Sequence, residues 1–184
     1  MPPEDHLPGD RSPRIVVMGV AGSGKTTVGT ALADRLGLPY ADADDFHPET
    51  NVAKMRTGRP LDDADRLPWL HAVGAWLAAH PDGGIVSCSA LRRDYRDLLR
   101  SHAADAVFLH LAGDADLITA RVAARTDHFM PASLVSSQLQ LLEPLRIDEV
   151  GVVVDLARPV AELVDEFTNQ FRPVMAAAAK GDPR

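Results

Sequence analysis

Gly19-Val20-Ala21-Gly22-Ser23-Gly24-Lys25-Thr26-Thr27 is the most informative run in the chain. It contains the pattern Gly-x-x-x-x-Gly-Lys-Thr, from Gly19 to Thr26. Ahead of it, Ile15-Val16-Val17-Met18 is a short apolar run with β-branched residues and reads as a buried strand. Behind it, Val28 to Leu36 reads as a helix, with Val28, Leu32 and Leu36 spaced four apart. A glycine loop between a strand and a helix is the context that makes this pattern a phosphate site. The glycines let backbone N–H groups converge on phosphate oxygens, and the helix N-terminus adds a favourable dipole. In this frame residues 19–27 cradle the phosphates of a nucleoside triphosphate, Lys25 reaches the β- and γ-phosphates, and the Thr26 hydroxyl holds Mg²⁺.

Strands alternate with helices outward from the loop. Gly37 ends the first helix. Leu38 to Ala41 is a short second strand, and Asp42-Ala43-Asp44-Asp45 lies at its C-terminal end, the end at which open parallel sheets bind ligands. Residues 46–80 are helical, irregular and dense in charge. Trp69, Leu70, Val73, Trp76 and Leu77 form a stripe at helical spacing that reads as core. Ile85 to Cys88 is a third strand, and Leu91, Tyr95, Leu98 and Leu99 mark the apolar face of the next helix, with Arg92, Arg96 and Arg100 on another face. Ala106 to Leu111 is a fourth strand. A helix capped by Asp114 runs to about Arg125, a break follows, and a further helix covers about Ala132 to Leu142. Val150 to Val154 is the fifth strand, and a helix with a clear 3.6 period runs from Val160 to Phe171. The expected architecture is therefore α/β: a five-stranded parallel sheet with helices on both faces, of the P-loop type. One domain spans 14–172, with a helical insertion over 46–80 and a short lid over 125–131. Residues 1–13 read as a disordered leader and 173–184 as a flexible tail.

The 184 residues suffice for one domain with a real core. A formal net charge of −7 argues against a nucleic-acid partner. No apolar run approaches membrane-spanning length, which argues against a membrane partner. The N-terminus shows no apolar signal core, and the single cysteine, Cys88, leaves no intramolecular disulfide. These features point to a cytoplasmic protein.

A phosphate loop by itself says only that a nucleoside triphosphate binds. There is no Asn-Lys-x-Asp base-reading motif of a GTPase. Val152-Val153-Val154-Asp155 matches the Walker B pattern of a motor ATPase, but as the last strand it belongs at a sheet edge, away from the phosphates. The carboxylates after strand two are better placed. Asp42 and Asp44 are two apart, so on an extended strand end they point to one side. One can face the metal shell and the other an acceptor hydroxyl. Asp45 points the other way and reads as structural.

Four stretches, GVAGSGKT, DADDFHPETNVAKMRTGRPLDDADRLPWL, CSALRRDYRDLLR and RVAARTDHFMPASLVSSQLQLLEP, together resemble the gluconokinase family, small P-loop sugar-acid kinases related in fold to shikimate kinase and the nucleoside monophosphate kinases. The resemblance covers about Ile15 to Phe171. It implies transfer of the ATP γ-phosphoryl group to the 6-hydroxyl of D-gluconate, giving 6-phosphogluconate for the pentose phosphate or Entner–Doudoroff routes. It also implies Mg²⁺, a homodimer, Asp44 as the residue that orients the acceptor hydroxyl, and Asp42 near the Mg²⁺ shell.

Gluconate is a polyol with a carboxylate, so its pocket needs cations and donors. Lys54, Arg66 and Arg92 match basic positions of the family. Arg56 and Arg59 read as a solvated face. His47 serves either as a ligand or in capping and packing, and Ser89 can donate to the sugar acid. Arg121 and Arg125, four apart on one helix face, suit the charge of the transferring phosphoryl oxygens. His128 in the lid either touches substrate or holds the lid shut, and Asp127 stands where family members often carry Gly. Cys88 reads as a buried strand thiol. The rival readings are a kinase for shikimate or a nucleoside monophosphate, which the aromatic content of 5% disfavours for a nucleotide acceptor, and a nucleotide-binding regulator without turnover.

Overall fold

The computed structural model describes residues 12–125 and 131–178. Strand β1 (Arg14–Met18) leads through the glycine loop into helix α1 (Lys25–Leu36). Strand β2 (Tyr40–Asp42), a short 3₁₀ turn (Ala43–Phe46), α2 (Glu49–Arg56) and α3 (Asp63–Ala78) follow. Then come β3 (Gly84–Ser87), α4 (Arg93–His102), β4 (Val107–Ala112), α5 (Ala115–Ala123), α6 (Ala132–Leu141), β5 (Gly151–Asp155) and α7 (Val160–Ala178).

Every strand is parallel to its neighbours, in the order β2-β3-β1-β4-β5. The central β1 is apolar throughout, and its alternation splits the core. Ile15 and Val17 face one layer with Leu32 of α1 and Phe167 of α7. Val16 and Met18 face the other, with Trp69 and Leu70 of α3 and Leu99 of α4. At the edge, β5 exposes Gly151, Val153 and Asp155 while burying Val152 and Val154. Asp155 thus sits on the edge strand, and its carboxylate accepts from the Ala157 N–H at 2.9 Å.

The tryptophan stripe is core. Trp69 is 3% exposed, and its indole N–H donates to the Ala43 carbonyl at 2.6 Å, which seats α3 on the turn after β2. The insertion is two helices, and α3 starts at a capping box between Asp62 and Asp65.

Several boundaries differ from the sequence reading. β2 begins at Tyr40 rather than Leu38, because the Leu38 N–H is committed to the Ala33 carbonyl in the cap of α1. Pro13 is buried, and its carbonyl accepts from the Gly84 N–H at 3.3 Å. α7 continues to Ala178, past the expected end at Arg172, through an alanine-rich run with the strongest helix propensity.

The register brings the site together. Val17 and Asp42 both pair with Ser87, so the C-terminal ends of β1, β2 and β3 meet at one edge of the sheet. The Gly19 N–H donates to the Ser89 carbonyl at 3.3 Å, tying the glycine loop to the end of β3.

Candidate active site

The loop from Gly19 to Thr27 closes on α1 through two glycines with different reasons for being glycine. Gly24 is the N-cap with φ 92°, a left-handed conformation, although nothing lies within 4 Å of where a Cβ would stand. Gly22 is also left-handed, and there a Cβ would meet Val122 Cγ2 at 2.5 Å. The loop tip therefore rests directly on α5.

Lys25 projects from the first residue of α1. Its ammonium donates to the Val20 carbonyl at 3.0 Å. Burial lowers its pKa, while the carboxylate of Asp44, the Cys88 sulfur and Asp42 pull the other way. Ser87 on β3 anchors the backbone beneath it: the Ser87 hydroxyl donates to the Lys25 carbonyl at 2.9 Å and accepts from the Tyr40 hydroxyl at 2.9 Å.

The two residues expected at the metal meet. The Thr26 hydroxyl donates to Asp42 Oδ2 at 2.8 Å. The other oxygen of the same carboxylate, Oδ1, accepts from the Asp44 N–H at 3.0 Å. Asp42 thereby fixes the start of the 3₁₀ turn and sets Asp44 beside the phosphate loop.

A cleft of about 590 Å³ opens above this edge, a size that suits a small ligand. Gly22, Gly24, Lys25, Thr26, Asp42 and Asp44 line its floor. His47, Arg66 and Trp69 line one wall, and Ser89, Arg125 and Gln138 also face it. His47 packs against α3 and lines the cleft. Its ring stacks on Trp69 at 4.2 Å, and its Nε2 lies 3.9 Å from Asp44 Oδ1. Asn51 must present its amide N–H₂ to the Asp65 carbonyl, at 2.9 Å, so it meets His47 Nδ1 at 3.3 Å as a donor. This leaves Nε2 as the protonated nitrogen facing Asp44. Burial, with the Arg66 charge in second place, takes the His47 pKa down to about 4, so the ring is neutral at pH 7.

Arg66 lies over the Tyr95 ring and donates to its hydroxyl at 3.4 Å. The Tyr95 hydroxyl in turn donates to Asp63. Cys88 is buried, as read from the sequence, but β3 ends at Ser87, so it lies just past the strand; burial pushes its thiol up to about 12.

Three of the expected cations lie outside the cleft lining, as do Gly19, Val20, Ser23 and Thr27 of the loop. Lys54 pairs with Asp62, at 3.1 Å, and with Asp65, bracing the capping box of α3. Arg92 is held by Asp63 at 3.2 Å and by Asp94 at 3.0 Å, with Glu143 3.7 Å away. Arg121 donates to the Leu156 carbonyl at 2.9 Å, under β5. Each has been captured by an acceptor distant in sequence or on a neighbouring turn. Arg56 and Arg59 are both exposed, as read, and Arg56 also lies on the cleft. His128 and most of the expected lid, residues 126–130, lie outside the described residues.

Sequence reasoning missed Ser87, Tyr95 and Gln138. Gln138 Oε1 accepts from the Ala21 N–H at 2.8 Å. A glutamine on a helix 117 positions away carries no local sign of such a contact.

Comparison with known proteins agrees with this geometry. The family model described as shikimate kinase matches residues 21–172. A gluconokinase of Gluconobacter oxydans (strain 621H) is 43% identical over 163 residues, spanning 86% of this chain and 90% of that protein. The unliganded crystal structure of a sugar kinase from Janibacter sp. HTCC2649 superposes with a TM-score of 0.84 at 46% identity, covering 90% of this chain and 97% of that one. A gluconokinase structure from Sinorhizobium meliloti 1021 gives 0.83 at 44% identity, covering 91% and 95%. A phosphate loop whose lysine and threonine face two aspartates at the sheet edge, in a chain this similar to those proteins, belongs to the gluconokinase family of ATP-dependent sugar-acid kinases.

Proposed function

We propose that this kinase transfers the γ-phosphoryl group of ATP to the 6-hydroxyl of D-gluconate, giving 6-phospho-D-gluconate and ADP. The observation that carries the reading is the chain Thr26–Asp42–Asp44, in which one carboxylate bonds the loop threonine and the backbone of the next aspartate. Asp44 then orients the acceptor hydroxyl and takes its proton as the bond to phosphorus forms. Lys25 and Arg125, both on the cleft, stabilise the charge on the transferring phosphoryl oxygens. Arg66, with Arg56 on the same cleft, supplies cations for the gluconate carboxylate, and Ser89 and the Nε2–H of His47 supply donors. Lys54, Arg92 and Arg121 act from behind the lining, holding α3, α4 and the end of β5.

The donor set fits Mg²⁺. Thr26 Oγ1 and the Asp42 carboxylate are hard oxygen donors 2.8 Å apart. Among the described residues no group of three or more His, Cys, Asp or Glu could hold a metal without help, so the phosphates of ATP would complete the shell. Held by Thr26 and Asp42, Mg²⁺ would supply positive charge against that of the phosphates.

The homodimer and the cytoplasmic location implied by the resemblance and by the composition belong to the same reading. Among the described residues no helix is long and apolar enough to cross a membrane.

A coupled assay for ADP release with D-gluconate, shikimate and AMP as acceptors tests the proposal. Gluconate should give turnover well above the acceptor-free rate, and the other two should not. Preference for shikimate or AMP, or no acceptor-dependent turnover, would refute it.

A further inference from the structure

The Val20–Ala21 peptide unit has a partner at each end. Its carbonyl, Val20 O, accepts from Lys25 Nζ at 3.0 Å. Its N–H, on Ala21, donates to Gln138 Oε1 at 2.8 Å. In a trans peptide these two groups point in opposite directions, so rotation of the plane moves both contacts together. Hydrogen bonds in such a chain also polarise one another. The ammonium of Lys25 and the side chain of Gln138 are therefore joined through one peptide plane, although 113 positions separate the two residues (138 less 25).

The chemistry of the contact is selective. Ala21 N–H can only donate, so the amide oxygen of Gln138 must face it, and the side-chain N–H₂ remains as a donor. Both Gln138 and Ala21 line the cleft. A neutral acceptor is needed there, because a carboxylate would bring negative charge to the place where phosphates bind. With Gln138 in place the peptide keeps its carbonyl turned to Lys25. Without it the plane is held at its carbonyl end alone, where the Ser23 N–H also donates to Val20 O at 3.2 Å, and the contact that sets Lys25 before phosphates arrive is loosened.

Resting on the kinase reading above, we infer that Gln138 is a positioning residue for phosphoryl transfer, acting on Lys25 through the Val20–Ala21 peptide. It touches the loop backbone rather than the reacting atoms.

The test compares wild type, Gln138→Leu, Gln138→Glu, Lys25→Met and the double variant Lys25→Met/Gln138→Leu. The readouts are kcat with gluconate, KM for each substrate, and affinity for a non-hydrolysable ATP analogue by calorimetry. Leucine keeps the approximate volume and removes the acceptor, while glutamate keeps the acceptor and adds charge. One hydrogen bond's worth of positioning corresponds to roughly a three- to tenfold loss, so Gln138→Leu should lower kcat by about that factor with KM for gluconate within about twofold. Gln138→Glu should recover kcat to within about threefold of wild type while raising KM for ATP. In the Lys25→Met background, adding Gln138→Leu should change analogue affinity and residual turnover by less than about twofold, because the residue it acts on is gone. A Gln138→Leu enzyme equal to wild type, equal losses with leucine and glutamate, or effects that multiply in the double variant would each overturn the inference. A wild type inactive on gluconate would refute the function reading alone, and the double-variant cycle on analogue affinity would still decide the role of Gln138.

Discussion

Arg96 and Lys25 are both cations drawn out of bulk water, and the fold treats them in opposite ways. Arg96 is fully buried on α4, and every nitrogen of its guanidinium is used. Nε and Nη2 meet the two carboxylate oxygens of Glu149 at 2.7 and 2.9 Å, and Nη1 donates to the carbonyls of Ala90 and Glu143 at 3.0 and 3.1 Å. Glu149 accepts further from Arg100 and from the Arg146 N–H. Burial alone would raise its pKa, but Arg96 and these other donors bring it down to about 2. Lys25, by contrast, has three donors and makes one hydrogen bond among the described residues, to Val20 O. The saturated cation ties α4 to the segment before β5. The cation with donors to spare is the one that lines the cleft.

This contrast is open to attack by mutation. The largest effect should come from Glu149→Ala, which leaves Arg96 buried without its counter-charge. Unfolding free energy should fall by roughly 3–5 kcal/mol, while kcat of the protein that remains folded stays within about twofold. Denaturant unfolding alongside active-site-normalised kinetics checks both halves, and a large loss of kcat at unchanged stability would dissolve the distinction.

Lys25→Met should do the reverse. Removing a charge that follows the transferring phosphoryl group should cost about 10²–10³ in kcat, with thermal stability unchanged or slightly raised. Turnover within about threefold of wild type would end the phosphate-site assignment. Asp44→Asn should lower kcat by about 10² or more, at the lower end of that range, since the shape is kept and only the proton acceptor is lost. Asp42→Asn should be partly restored by raised Mg²⁺ and Asp44→Asn should not; equal, Mg²⁺-independent losses would reverse their roles.

The smallest effect is on pH. Burial lowers His47 and His110 to about 4, with the charges of Arg66 and Arg96 respectively as the second cause. Both nitrogens of His110 are buried without a partner among the described residues. A histidine whose folded pKa is depressed binds fewer protons than in the unfolded chain. Stability is therefore unaffected well above pH 6.5 and falls as pH drops from there towards 4. Between pH 7 and 5.5 each should remove on the order of 1 kcal/mol. Glu149 works in a lower window, losing its contribution only as pH falls from about 4.5 towards 2. Thermal melts across this range should show the slope, and His110→Leu should remove about half of it without altering turnover. A slope unchanged by that substitution would exclude His110 as its source.

Most of the architecture was legible because its causes are local. The strand, glycine loop and helix around Lys25 are specified by consecutive residues: the β-branched run of β1, the glycines at 22 and 24 and the helical spacing of Val28 and Leu32. The alternation of strands with helices then leaves few ways to build the sheet other than in parallel. The same locality made Thr26, Asp42 and Asp44 readable, since two are close in sequence and all sit at strand or helix ends. The edge position of Asp155 and the buried stripe around Trp69 followed from order and periodicity in the same way.

Where the long cations point was not legible, and the reason is physical. An arginine or lysine side chain has many rotamers, and the choice among them is made by whichever acceptor the fold brings near. Lys54 goes to the cap of α3, Arg92 to Asp63 and Arg121 to the Leu156 carbonyl, while Arg66 and Arg56 are left on the cleft. Arg96 and Arg92 are four apart on one helix edge and look alike in sequence, yet only Arg96 has Glu149 beside it, 53 positions away. Gln138 against Ala21 is the same case. The phosphate loop, its lysine and the parallel sheet could be read along the chain, because they follow from neighbouring residues and backbone geometry. Which charges face the cleft and which lock the fold depends on partners that meet after the chain has closed on itself, so neighbouring residues carry no sign of it.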